Sequence, residues 1–540
     1  MKRLIPTLLY GALAAAFGVQ AATPQDTLVV VSSLEGIISL DPAESFETVS
    51  SANLVNLYQR LVAPDRGAPQ TLAPDAAASW PSAPACQLAP DAAASWQAGA
   101  DGHSLIFTLK PQQRFASGNP LRPEDVIFSL VRAVKLNKAP SFILGEFGWT
   151  PDNVEQHLKK VGDNQVQLSW PANIGSELAL RLLTANVASI VDEKLLNEHA
   201  QQGDYGNAWL RGHSAGGGPY RVSNYVPHEA LLFGRNDYAP SPARLKTVLF
   251  KNVSDAGTRR LLLLKGDADV AYDLGADQFD SLRNASGVRI EQADAPRVYY
   301  LGFNTGSKDN PALGNPALWR AARWLVDYQS IAEQLLKGQY RVHQAFLPQG
   351  LDGALDDRPF TLDVGKAKQI LRDAGIAEGT RLDLIVINQP PYTDIAQALQ
   401  ASFAQAGLRL DIHPVVESDL WGKMRGRDFQ AIFTYWGADY LDPNTNASAF
   451  AYNVPGGPKT LAWRTQWGIP AISAETRAAA AEGNSAARRA RYAALQRELQ
   501  ASSPYVVALQ GQTLVALRDN VKGARLDIAN SMLYLDRVSK

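Results

Sequence analysis

The pentapeptide Gly212-His213-Ser214-Ala215-Gly216 is a literal G-x-S-x-G, the pattern that presents a nucleophilic serine on a sharp strand-to-helix turn in α/β hydrolases. That turn needs a strand directly before the serine and a helix directly after it. Here NAWLRG precedes, and Gly217-Gly218-Pro219 follows, a run that cannot open a helix cleanly. A secreted serine hydrolase using Ser214 is therefore kept only as an alternative of another class. The 7 histidines (His103, His157, His199, His213, His228, His343, His413) lie far apart, with no H-x-x-x-H pair and no cysteine beside them, so no metal ligands are expected. No G-x-x-x-x-G-K-[ST] is present, and Gly216 to Gly218 is no phosphate cradle. The acid pairs Asp267/Asp269 and Asp356/Asp357 read as solvated turns. No catalytic residue and no cofactor is expected, and the chain reads as a non-enzyme.

One stretch has the chemistry of a binding site. In Thr434 to Phe450, TYWGADYLDPNTNASAF, an apolar strand delivers Tyr435 and Trp436. Gly437-Ala438 and two acids, Asp439 and Asp442, then follow in a Pro/Asn-rich loop. Aromatic rings supply apolar walls, and a carboxylate at a strand end can pair with a ligand cation once water is excluded. The competing account is an ordinary strand-to-turn exit with aspartate as turn former.

The elements around this stretch follow from periodicity. Arg381 to Asn388 (RLDLIVIN) reads as a strand, Asp394 to Ala406 as a helix stopped by Gly407, and Leu408 to Val416 as a second strand, which makes a β-α-β unit with a right-handed crossover. A helix over Ser418 to Arg425 then leads to a strand at 429–436. Asp363 is a good N-cap and Gly375 a good stop for the helix GKAKQILRDA. Leu318 to Leu336, with Gly338 behind it, is expected to be one helix. Nearer the N-terminus, TLVVV at 27–31 and SLIFTL at 104–109 are strand candidates, and Pro123-Glu124-Asp125 opens a helix through VIFSLVRAV.

Leu72 to Trp80 reads LAPDAAASW, and Leu88 to Trp96 repeats it letter for letter. The second copy runs into the turn ADG and the strand SLIFTL; the first runs into the proline-broken PSAPAC. Residues 72–87 are therefore expected to be a tandem insertion carried as a loop, since long surface loops cost little closure entropy.

Composition bounds the class. Lys2 and Arg3, the mostly apolar Leu4 to Val19, and small residues at Val19 and Ala21 predict a cleavable signal peptide over residues 1–21 and a periplasmic destination. The one cysteine, Cys86, excludes an internal disulfide. A formal net charge of −1 argues against nucleic acid and anionic lipid as partners, and no further segment is long and apolar enough to span a membrane. With 540 residues, several lobes are expected, in a monomer.

Several stretches in order resemble the family 5 extracellular solute-binding proteins, the peptide and nickel receptors of ABC importers. They are Leu88 to Trp96 with DGHSLIFTLKPQQRFASGNPLRPEDVIFSLVRAV, GGGPYRV at 216–222, YYLGFNT at 299–305, NPALWRAARWLVDYQSIAEQLLKG at 315–338, GKAKQILRDAGI at 365–376 and YWGADYLDP at 435–443. The resemblance implies an α/β, two-lobed periplasmic binding protein with an additional domain inserted in the first lobe and a hinge between lobes. It places lobe I at 22–56, 210–290 and 507–540, the inserted domain at 57–209 and lobe II at 291–506. It implies a receptor that captures peptides between the lobes and delivers them to an inner-membrane ABC permease, with a nickel-chelate or other small-solute receptor as the alternative within the family. In peptide-binding relatives the aspartate of the W-x-A-D-Y type motif holds the peptide's α-ammonium group. That role carries over to Asp439, with Tyr435, Trp436 and Gly437 beside it, and Glu35 in SLEGIISLDP stands where relatives contribute ligand contacts. Dipeptide-specific relatives carry an arginine just before a Pro-Tyr, whereas the loop here is Asn388-Gln389-Pro390-Pro391-Tyr392; Phe433 stands where some oligopeptide receptors place a basic residue. Those departures point to a longer peptide or one conjugated at its C-terminus.

Overall fold

The computed structural model describes residues 23–64, 72–74, 93–527 and 532–540. Residues 1–21 and Cys86 lie outside them, so the signal peptide and the thiol have no structural account.

The strand run TLVVV forms Thr27–Ser32, and its alternating apolar side chains are buried on both faces of the sheet. It sits inside a long mixed sheet whose order, from one edge, is 409–415, 381–387, 431–437, 288–303, 505–518, 270–271, 27–32, 247–252, 230–235 and 220–226; Tyr340–Val342 pairs with the long strand 505–518. Two antiparallel strands, Val288–Phe303 and Tyr505–Arg518, tie the two halves together. Their ladder loses register between Asp294 and Val298, where Gln510 Nε2 donates instead to the Ala295 carbonyl at 2.8 Å. A separate four-stranded antiparallel sheet holds Ala93–Ala98, Ser104–Leu109, Gln165–Ser169 and Leu158–Gly162. Buried apolar residues collect accordingly: one cluster runs from Val298 to Leu509, one centres on the four-stranded sheet, and two cover the sheet half around Thr27–Ser32.

The β-α-β expectation holds. Arg381–Ile387 pairs parallel with Arg409–Val415 across helix Tyr392–Gln405, and with Ala431–Gly437 on its other side. Asp363 caps Val364–Asp373 by accepting from the Lys366 amide at 2.8 Å, and Gly375 takes the left-handed turn at φ +66° that closes it.

Two expectations need correction. Residues 318–336 are not one helix: Pro316–Arg323 ends at Trp324, and a new turn starts at Tyr328 because the Asp327 carboxylate accepts from the Ser330 amide at 3.2 Å. Aspartate favours this cap over helix interior. Residues 72–87 are not all loop, because Leu72–Pro74 pairs antiparallel with Val62–Pro64. The second copy supplies Ala93–Ala98, beside Ser104–Leu109, and there Trp96 is fully buried. The chain thus takes LAP from the first copy and AASW from the second.

Candidate functional site

The strand Ala431–Gly437 is buried over its first four residues and half-buried over Tyr435, Trp436 and Gly437, where it emerges from the sheet. It pairs antiparallel with Val288–Phe303, placing Tyr435 opposite Tyr299, Trp436 opposite Val298 and Gly437 opposite Arg297. Successive side chains leave opposite faces, and two environments result.

On one face Trp436 packs edge-on against Phe450 at 6.3 Å, under the Arg464 guanidinium at 5.7 Å; its indole Nε1 is buried with no hydrogen-bond partner among the described residues. On the other face Tyr435 lies 6.0 Å from Tyr299 and 6.3 Å from Tyr392, with Trp421 edge-on at 5.5 Å, and its hydroxyl donates to Glu417 Oε1 at 3.1 Å. The Arg297 guanidinium stacks over the Tyr435 ring at 4.6 Å. Burial opposes its charge, but the tyrosine hydroxyls of 299, 435 and 392 outweigh that and hold it firmly protonated. At Gly437 an added Cβ would meet no atom within 4 Å, so the main chain there faces open space.

Beyond the strand, the chain is tied down. The Ala438 amide donates to the Pro296 carbonyl at 2.8 Å, and the Asp439 amide donates to Thr445 Oγ1 at 3.0 Å. Asp442 caps helix Pro443–Phe450 through the Asn444 amide and accepts two bonds from Arg488, each 2.8 Å. Asp442, 1% exposed, is therefore a structural acid. Asp439 differs: its carboxylate has no hydrogen bond or ion pair among the described residues. Burial pushes its pKa up to about 7, against the lowering field of Arg464.

Glu35 lies in the other half of the sheet, at the exit of strand Thr27–Ser32. It is exposed and accepts from Ser254 Oγ at 2.8 Å, and no hydrogen bond or ion pair joins it to residues 435–439. Ser214 forms no nucleophile elbow. Its oxygen accepts from the Val222 amide at 2.8 Å, residues 213–219 run as a turn into strand Tyr220–Val226, and His213 stacks on Trp209 at 4.4 Å. Gly216 and Gly218 are there because the chain passes Leu57, where a Cβ would fall 2.1 Å and 2.7 Å from its carbonyl oxygen.

The sequence profile of the bacterial extracellular solute-binding proteins, family 5 Middle, matches residues 87–458. The chain belongs to that family. Among curated proteins, this family 5 chain is 27% identical to the probable D,D-dipeptide-binding periplasmic protein DdpA of Escherichia coli, over 82% of this chain and 81% of that one. It is 23% identical to di/tripeptide-binding protein 3 of Pseudomonas aeruginosa over 86% of each. Among solved structures, DppA of Helicobacter pylori in complex with the peptide STSA superposes at TM-score 0.76 with 19% identity, covering 95% of this chain and 98% of that one. NikA of Staphylococcus aureus with Ni(L-His)2 superposes at 0.72 with 15% identity, covering 95% and 99%. These superpositions establish the two-lobed α/β fold.

Arg297, Trp421 and Arg464 carry no site signal in the sequence, and Tyr299 and Tyr392 lie in quoted stretches without being marked as site residues. They come from separate segments that pairing register and packing bring to Tyr435 and Trp436.

Proposed function

We propose that this protein is a periplasmic receptor that binds peptides between its two lobes and passes them to an inner-membrane ABC permease, with Asp439 holding the peptide's α-ammonium group. The observation that carries this reading is the Asp439 carboxylate, without a hydrogen bond or ion pair among the described residues, in a loop whose main chain and second acid are both tied. Gly437, open beside it, leaves main chain for an extended ligand to approach. The curated relatives are named as dipeptide and tripeptide binders, which supports the same ligand class.

We assign lobe I to 22–56, 210–290 and 507–540, the inserted domain to 57–209 and lobe II to 291–506; the buried clusters follow this division apart from crossings such as Ala43, Tyr440 and Ala480, which pack with the four-stranded sheet, and Val191 and Leu196, which pack with lobe I. The hinge lies where strands 288–303 and 505–518 lose register at Asp294–Val298. Asp439, Trp436, Gly437 and Tyr435 contribute from lobe II, and Glu35 approaches from lobe I on closure.

Arg297 favours a ligand with a free carboxylate over a conjugated one. It brings a guanidinium to Tyr392, at the loop that lacks the expected arginine, from a different strand. No observation favours the nickel-chelate alternative or a reaction at Ser214. The test is a thermal-shift screen of the mature protein against di- to pentapeptide pools, each free, N-acetylated and C-amidated. Stabilisation follows RT ln(1 + [L]/Kd). Free pools are expected to raise Tm and acetylated pools to fail; equal shifts from acetylated pools would remove Asp439 from the role.

A further inference from the structure

On the Trp436 side of strand Ala431–Gly437 the neighbouring charges, Asp439 apart, are cations. The Arg464 guanidinium lies 5.7 Å from the Trp436 ring, and its Nε donates to the Lys459 carbonyl at 3.1 Å. Arg464 is half-buried, and its Nη1 and Nη2 make no hydrogen bond or ion pair among the described residues. Trp463, next to it in the chain, carries Arg427 over its ring at 3.6 Å and Lys459 at 5.4 Å. Arg425 stands close enough to act on Arg464 as a like charge. None of Arg425, Arg427, Lys459 and Arg464 pairs with a carboxylate among the described residues, and Asp428, beside Arg427 in the chain, is taken by Lys423 at 3.2 Å. A guanidinium keeps its proton at neutral pH, so the cluster lacks a counter-charge.

The same face is short of hydrogen-bond partners. Thr434 lies two residues before Trp436, and Tyr300 stands opposite Thr434 in register, so the three side chains share it. The Trp436 indole Nε1 and the hydroxyls of Thr434 and Tyr300 are each buried with no partner among the described residues. Arg464 acts on both Tyr300 and Asp439, which places its guanidinium between that face and the proposed ammonium anchor. The C-terminal carboxylate of an extended peptide recedes from its ammonium by about 3.3 to 3.6 Å per residue, and Arg297, on the opposite face of the strand, is there to receive it. The first side chain branches from the carbon that bears the ammonium. It is therefore the ligand group that stays beside Arg464.

We propose that Arg464 is a specificity-determining residue that takes the side-chain carboxylate of the bound peptide's first residue, so that peptides beginning with glutamate or aspartate are preferred. The inference rests on the reading of the protein as a peptide receptor with Asp439 at the ammonium group.

The test is calorimetric titration of the full mature protein with X-Ala and X-Ala-Ala, where X is glutamate, glutamine or lysine. Glutamate and glutamine share shape and differ in charge, so their ratio isolates the ion pair. Glutamate is expected to bind about tenfold tighter than glutamine, with lysine weakest. In Arg464→Met, which keeps an apolar stem against Trp436, the glutamate-to-glutamine ratio is expected to fall to near one. A crystal structure of the unaltered protein with the tighter glutamate peptide is expected to show the side-chain carboxylate on Arg464, and it decides the assignment if Arg464→Met does not fold. Equal binding of the glutamate and glutamine peptides, a ratio that survives in Arg464→Met, or a carboxylate seated on another residue would overturn the inference alone. Absence of binding by every peptide would overturn peptide reception and the inference with it.

Discussion

Asp439 combines two properties that pull against each other. Its folded-state pKa of about 7 lies above the ordinary 3.8, so folding favours the protonated form. In the ligand-free protein the resulting stability is fully present below about pH 4 and is lost as pH rises through about 7. Asp439→Asn, which removes the desolvated charge, is therefore expected to raise the Tm of the ligand-free protein at pH 8 while weakening peptide binding by about 3 kcal/mol, on the order of a hundredfold. Calorimetric titration and melting of the same two samples check both signs. An ammonium ligand selects the ionised form, so affinity is expected to fall as pH drops below 7, and binding near pH 6 to release a proton. Titrations in two buffers of different ionisation enthalpy read that proton directly. Gly437 supplies a steric test: its Cβ position is open, so Gly437→Val is expected to leave Tm within about 1 °C and to abolish peptide binding.

At the scale of elements, the site depends on a rigid exit loop. Asp442 fixes it twice, as helix cap and as bidentate partner of Arg488, which is 3% exposed. Removing one partner leaves an uncompensated buried charge, so Asp442→Leu is expected to cost about 3 to 5 kcal/mol in urea denaturation. Asp442→Leu with Arg488→Met is expected to recover most of that, because the pair is then replaced by apolar side chains. The strand and the two acids were legible in sequence, because alternation and turn residues report on local structure. The division of labour between the acids was not: Arg488 lies 46 residues away and only the tertiary fold brings it to Asp442. The break at Trp324–Asp327 was hidden for a related reason. The apolar spacing of 318–336 continues through it, and only the Asp327 cap decides the register.

Over the whole molecule, the half of the long sheet that carries Asp439 is also joined to the region around the four-stranded sheet. Arg477 pairs with Glu146 at 3.4 Å, Ser485 donates to Glu177 at 3.2 Å, and the Gly175 amide donates to the Ala480 carbonyl at 3.2 Å. Tyr440, next to Asp439, is buried in the cluster of the four-stranded sheet. Tyr440 therefore ties the exit loop to the core under the four-stranded sheet. The Arg477–Glu146 pair is half-exposed on the arginine side and mostly buried on the glutamate side; Arg477→Ala is expected to reduce peptide affinity no more than about threefold, whereas a loss above tenfold would show that the contact drives closure. Fold and family were readable across nearly the whole chain, since turn, helix and strand signals recur in order. The aromatic box around Arg297 was not, because its members are scattered from 297 to 435. That Asp439 grips the ammonium group of a peptide is tested most directly by the dissociation constants of one responding peptide, free and N-acetylated, with the unaltered protein and with Asp439→Asn. Acetylation is expected to cost about a hundredfold with the carboxylate in place and almost nothing in the amide variant; an equal cost in both proteins would contradict the account.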